Sequence, residues 1–212
     1  MVDQLLNKYP LISDQVDRSE LRIILNEFAK VLALQVPGDV VEFGCYKGTT
    51  SLFLARLLRS EKSTKKLFCY DSFAGLPAKT REDSSGVGTE FKAGELAVTK
   101  ADFMRELAKD FPSDFTRQHI KVVKNWFSQI PETKLPTQIS FAFFDGDFYG
   151  SICDSFAKTD DRFASRAVIV VDDYKNEKLP GAARAVNEWC HRNRQKIIRF
   201  REENSLGIIY LR

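Results

Sequence analysis

A chain of 212 residues with 43% hydrophobic and 29% charged side chains is long enough to bury a full core and has an ordinary globular composition. Its formal charge of +3 is spread over interspersed acids and bases, and the one basic tract, 59–66 (RSEKSTKK), falls where a helix should give way to a strand, so no nucleic-acid partner is expected. Four cysteines form no Cys-x-x-Cys pair, no positively charged segment leads into an apolar run at the N-terminus, and no stretch is apolar enough to span a membrane. The expectation is a cytoplasmic chain with reduced thiols and no membrane partner.

In chain order, a lead-in over 1–36 carries a helix at 19–35, with Leu21, Ile24, Leu25, Phe28 and Leu32 at helical spacing and Ser19 as its expected N-cap. The apolar run 39–43 (DVVEF) predicts a strand that enters Gly44, and helical periodicity returns at 50–58. The pattern repeats: a strand at 66–70 ends at Asp71, a helix spans 101–111, and a short strand lies at 120–123. A strand at 139–144 ends at Asp145, a helix follows at 149–157, and a strand at 167–171 ends at Asp172. After a helix at 181–192, strands at 196–200 and 206–211 are close enough to pair as an antiparallel hairpin. Alternating strands and helices predict a single α/β domain over 1–212, doubly wound and Rossmann-like, with a mostly parallel seven-stranded sheet closed by that hairpin. The polar, glycine-bearing stretch 78–94 reads as a mobile lid loop over the cleft.

Open α/β sheets bind ligands beyond the carboxyl ends of their strands, where this chain places acids. The turn Glu42-Phe43-Gly44-Cys45-Tyr46-Lys47-Gly48 has Gly-x-x-x-Gly spacing, which is neither a dehydrogenase fingerprint nor a P-loop. An acidic Glu42 argues against a phosphate ligand and suits a cationic one. Asp71 can accept both ribose hydroxyls of a nucleoside held over that turn, although an Asp capping a following turn is common. Asp145-Gly146-Asp147 and Asp172-Asp173 put four carboxylates at one edge of the cleft, a cluster that a divalent cation would relieve. Oxygen ligation without Cys or His points to Mg²⁺, with Mn²⁺ or Ca²⁺ as alternatives, rather than zinc. Trp126-Phe127 can form an apolar wall against a base or a substrate, or belong to the core.

Several stretches resemble the macrocin O-methyltransferase family: 37–48 (PGDVVEFGCYKG), 70–77 (YDSFAGLP), 91–96 (FKAGEL), 125–131 (NWFSQIP), 144–151 (FDGDFYGS), 171–174 (VDDY) and 181–188 (GAARAVNE). They span most of the chain in the family's order. The resemblance implies a class I methyltransferase fold, for which a closing hairpin is typical, and S-adenosylmethionine as cofactor. It implies cofactor contacts from the turn that holds Glu42, Gly44, Tyr46 and Gly48 and from Asp71; Ser72, Trp126 and Phe127 are further candidate cofactor contacts. It implies Mg²⁺ held by Asp145, Asp172 and Asp173. The acceptor is then a hydroxyl of a sugar or glycosylated metabolite, with Asp145 as the expected base and Asp147 in reserve; a homo-oligomer is compatible. Two alternatives are an NAD-dependent oxidoreductase, opposed by the glycine spacing and the hairpin, and a non-catalytic S-adenosylmethionine-binding scaffold. Retention of costly strand-end acids argues against the scaffold.

Overall fold

Seven strands form one sheet in the order β3-β2-β1-β4-β5-β7-β6 in the computed structural model, which describes residues 1–87 and 91–212. The strands are β1 (Asp39–Phe43), β2 (Leu67–Asp71), β3 (Ile120–Lys124), β4 (Ile139–Phe144), β5 (Phe163–Val171), β6 (Ile197–Glu203) and β7 (Leu206–Leu211). The first five pair in parallel; β7 joins β5 and β6 antiparallel, which is the expected closing hairpin. β1 and β4 are burial-saturated, with Val40 to Phe43 and all of Ile139 to Phe144 buried, as strands covered on both faces must be.

The helices are α1 (Val2–Lys8), α2 (Arg18–Ala33), α3 (Thr49–Ser60), α4 (Lys100–Asp110), α5 (Ser113–His119), α6 (Tyr149–Thr159) and α7 (Pro180–Arg192). From β1 the chain steps outward through β2 to β3, then returns to the other side of β1 for β4 and β5. Right-handed crossovers running in opposite directions put α3 and α4 on one face and α6 on the other. Phe156 of α6 stacks on Trp189 of α7 at 4.5 Å and 12°, joining those two helices. The reversal of strand order lies between β1 and β4, so a cleft opens there. Among the described residues, no helix is long and apolar enough to cross a membrane.

Several boundaries differ from expectation. α2 is capped by Asp17, not Ser19: the Asp17 carboxylate accepts from the Ser19 and Glu20 N–H groups while Glu20 accepts from the Asp17 N–H. That reciprocal box satisfies three backbone donors at the helix start, and Ser19 Oγ is left to accept from Asn204. β5 begins at Phe163 rather than 167 because its first half has exposed Ser165 and Arg166 and a register shift against β4. Of the loop expected at 78–94, residues 88–90 lie outside the described residues; Arg81–Asp83 is a 3-10 turn whose Asp83 is buried.

Candidate active site

Strand register decides which side chains meet. Phe43 pairs with Tyr70 on one side and with Phe144 on the other, and Phe144 pairs with Val171. The next residue of each strand therefore falls in one row: Asp71, Gly44, Asp145, Asp172. Backbone bonds extend the ladder into that row, from Gly44 N–H to the Tyr70 carbonyl, Asp145 N–H to Phe43 and Asp172 N–H to Phe144. Gly44 has φ +91°, and a Cβ on it would lie 1.8 Å from the Asp145 carbonyl oxygen. Only glycine fits there.

Above the row lies a cavity of about 760 Å³, within the range that holds small-molecule ligands. Of the residues singled out from sequence, Gly44, Tyr46, Asp71, Ser72, Trp126, Phe127, Asp145, Asp147, Asp172 and Asp173 line it. Glu42 and Gly48 do not. Glu42 lies beneath the turn, fully buried, with Ser51 Oγ donating to it and Cys69 Sγ 3.8 Å away. Burial pushes its carboxyl up to about 8 against the pull of the Ser51 bond, and the Asp71 charge adds to the rise. Gly48 N–H closes the turn onto the Cys45 carbonyl, and its Cα faces the Phe103 ring. Both residues shape the turn instead of touching what it holds.

Asp71 binds the same turn. Its Oδ2 accepts from the N–H groups of Cys45 (2.7 Å) and Tyr46 (3.0 Å), and its Oδ1 accepts from Phe73 N–H (2.7 Å). The carboxylate thus anchors the glycine turn, and Asp71 also lines the cavity. Trp126 is 37% exposed and forms a wall, whereas Phe127 packs edge-on to Phe43 at 5.2 Å and belongs partly to the core.

The acids gather as expected, with one difference in membership. Carboxylate oxygens of Asp145, Asp147 and Asp173 lie within 4.8 Å of one another, so Asp147 joins the set where Asp172 was expected. Asp172 stays beside them, but its Oδ1 accepts from Asp173 N–H and from Ser205 Oγ. Burial and then the charges of Asp172, Asp147, Asp173 and Glu42 hold the Asp145 carboxyl well above its usual range. Burial also raises Asp147 and Asp173 to about 7 and Asp172 to about 8, with neighbouring acids adding to each. Asp147 and Asp173 both sit at φ +58°, a left-handed conformation uncommon for a side-chain-bearing residue.

Residues from outside the strand ends complete the cavity: Asp14, Gln15 and Glu20 from the N-terminal lead-in, and Thr80, Phe91 and Leu96 from the loop after β2. Ser13 Oγ bonded to Thr49 Oγ1 at 2.7 Å holds the lead-in over the start of α3. Glu20 Oε1 accepts from Ser205 Oγ, which also reaches Asp172, so the first turn of α2 touches the acid edge. No sequence pattern singled out Glu20, whose contact with Ser205 spans 185 residues of chain.

The macrocin-O-methyltransferase (TylF) family model matches residues 10–201, nearly the whole chain. The chain belongs to this family. Among its relatives is the 8-demethyl-8-(2,3-dimethoxy-α-L-rhamnosyl)-tetracenomycin-C 4'-O-methyltransferase of Streptomyces olivaceus, 27% identical over 146 residues, covering 68% of this chain and 56% of that one. The chain spans 56 to 62% of the length of the curated relatives it matches. Of solved structures, the O-methyltransferase NovP superposes with a TM-score of 0.75 at 22% identity, covering 92% of this chain and 79% of the other. A Podospora anserina methyltransferase, bound to S-adenosylhomocysteine, superposes with a TM-score of 0.60 at 10% identity, covering 100% of this chain and 86% of the other. These likenesses establish the macrocin O-methyltransferase fold: a doubly wound sheet with an antiparallel C-terminal hairpin.

Proposed function

We propose that this family member transfers the methyl group of S-adenosylmethionine to a hydroxyl of a sugar or sugar-bearing natural product, assisted by Mg²⁺. The observation that carries the reading is the row of strand-end groups at the switch in strand order: a glycine turn tied to Asp71 on one side and a cluster of aspartates on the other. The tetracenomycin relative methylates an oxygen of a sugar-bearing compound by its name, and the Podospora structure holds the demethylated cofactor; both support the assignment.

The cofactor's nucleoside would lie over the Gly44 turn between Asp71 and Trp126. Methyl transfer is an in-line displacement: an acceptor oxygen forms a bond to the methyl carbon as the carbon–sulfur bond breaks, and S-adenosylhomocysteine leaves as a neutral thioether. The chain's task is alignment, which supplies effective molarities on the order of 10⁵–10⁸ M. The acceptor's proton needs a base. Asp147 is taken as that base in preference to Asp145: it lines the cavity from the centre of the Gly146–Phe148 turn, and the charges of both Asp172 and Asp71 act on its carboxyl.

The donor set fits a hard divalent cation. Its ligands are all carboxylates, they converge within 4.8 Å, and burial together with mutual repulsion works against their ionisation unless a cation joins them. Asp145 and Asp173 would hold the ion, with the Asp147 carboxylate converging on the same point and Asp172 beside them. Bound there, Mg²⁺ would supply Lewis acidity that lowers a hydroxyl's pKa and a fixed point for vicinal oxygens.

The oxidoreductase alternative gains nothing from Tyr174 and Lys178, which happen to stand at Tyr-x-x-x-Lys spacing: Tyr174 OH donates to Asn187 and its ring packs on Phe200. Incubation with S-adenosylmethionine, Mg²⁺ and a panel of rhamnosylated acceptors should yield a product 14 mass units heavier and S-adenosylhomocysteine (a CH₂ gained for each transfer). Failure with every acceptor, or undiminished turnover in excess chelator, would refute the Mg²⁺-assisted scheme.

A further inference from the structure

Asp83 is 0% exposed, lies outside the cavity lining and is assigned no part in the reaction above. Its surroundings are unusual for a loop acid. Oδ2 accepts from the backbone N–H and the hydroxyl of Thr80, both at 2.8 Å, which closes the 3-10 turn Arg81–Asp83. Oδ1 accepts from the N–H of Tyr149, the first residue of α6, at 2.6 Å. The same oxygen lies against the first turn of α7: a Cβ added to Gly181 would stand 1.9 Å from it. Neither α6 nor α7 has a side-chain cap of its own. One carboxylate from 66 residues away therefore meets the positive ends of two helices.

Tyr149 follows the proposed proton acceptor by two residues. Between them the Phe148 N–H donates to the Gly146 carbonyl at 2.6 Å, a three-residue turn with Asp147 at its centre in a left-handed conformation. Such a turn is strained and persists only where its surroundings hold it. Its N-terminal side is held by the Asp145 N–H bond to the Phe43 carbonyl at 2.8 Å. On its C-terminal side stand Asp83 and a small buried cluster of Phe148 with Leu76 and Leu179. Further ties clasp the same loop to α6 and α7. Arg184 pairs with Glu188 and approaches Glu82, Tyr149 OH donates to Glu188, and Ser85 donates to the Glu177 carbonyl.

We infer that Asp83 is a positioning residue: its carboxylate caps α6 from across the fold and so fixes the Gly146–Asp147–Phe148 turn that aims the Asp147 carboxylate into the cleft. This rests on the proposed role of Asp147. Gly181 leaves room for this contact: a Cβ there would stand 1.9 Å from Asp83 Oδ1 and 2.8 Å from the Tyr149 nitrogen, crowding both partners of the bond.

The test compares Asp83→Ala, Asp83→Asn and Gly181→Ala in the full chain, by steady-state kinetics, S-adenosylhomocysteine calorimetry and amide hydrogen exchange at 146–150. For Asp83→Ala, kcat should fall on the order of tenfold to a hundredfold, as for a misaligned reacting group, while S-adenosylhomocysteine affinity stays within about threefold. Asp83→Asn should recover part of kcat, because its amide oxygen can still accept from Tyr149. Exchange at the Tyr149 amide should rise about tenfold in Asp83→Ala and in Gly181→Ala. Wild-type kcat and wild-type exchange in either of those two variants would overturn the inference, as would a parallel loss of turnover and S-adenosylhomocysteine binding. Should Asp83→Ala not fold, Gly181→Ala decides by the same criteria. If the unaltered chain methylates no acceptor, the proposed function fails by itself, and the exchange measurements alone decide whether Asp83 holds the turn.

Discussion

Asp147 and Gly44 place opposite demands on the backbone at neighbouring strand ends. Asp147 carries its side chain at φ +58°, in a turn that lines the cavity. Gly44, at φ +91°, has given up its side chain because the Asp145 carbonyl occupies the space. Gly44→Ala should therefore cost about 2–4 kcal/mol in urea unfolding, combining left-handed strain with a forced shift of the Asp145 backbone. It should also weaken S-adenosylhomocysteine binding, since the Asp71-bound turn moves with it. Asp147→Asn removes a proton acceptor without changing shape. Turnover should fall roughly 10²–10⁴-fold while S-adenosylhomocysteine binding stays within a few-fold. Near-normal turnover in that variant, with a severe loss in Asp145→Asn, would return the base to Asp145.

Among elements, those that the chain announces are those whose burial is one-sided in composition. β1, β2 and β4 are short, largely apolar runs that lead to a glycine or an acid, so both their existence and the row of site residues at their ends can be read directly. α5 is silent because none of its residues is buried, which leaves no periodicity to detect. α1 buries only Val2, Leu5 and Leu6, one short stripe. The site divides in the same way. Asp71, Asp145, Asp172 and Asp173 follow strands and were legible, whereas Asp83 and Glu20 reach the acid edge or its supporting turn through contacts 66 and 185 residues apart, which no local pattern encodes. The start of α2 joins the two kinds of information. Asp17 and Glu20 form the capping box where Ser19 was expected as the cap, and Glu20 also accepts from the Ser205 hydroxyl that touches Asp172. Asp17→Ala should cost about 1 kcal/mol, seen as a lower urea midpoint with an unchanged slope.

At the scale of the whole molecule, a chain of net charge +3 concentrates buried acids around one cleft, and this sets how its stability depends on pH. Glu42 and Asp172 are raised to about 8, and Asp147 and Asp173 to about 7. Unfolded, the same groups titrate near 4. Between those limits the folded chain holds protons that the unfolded chain has released, so stability is fully present below about pH 4 and is lost as pH rises towards 7–8. Each group contributes a slope of at most about 1.4 kcal/mol per pH unit. A divalent cation offsets this only for the carboxylates it reaches, and Glu42 lies beneath the turn, outside the cavity. The two contributions therefore separate. The melting temperature gained on adding millimolar Mg²⁺ should be small at pH 5 and grow towards pH 8, because the ion competes with protons for the converging carboxylates of Asp145, Asp147 and Asp173. The slope that remains in saturating Mg²⁺ belongs to the raised acids that the ion does not reach, Glu42 among them, and Glu42→Gln should reduce it while leaving the Mg²⁺ increment intact. A melting temperature indifferent to Mg²⁺ at pH 8 would remove the cation from the site, and an unaltered slope in Glu42→Gln would mean that the buried acid beneath the glycine turn is ionised throughout.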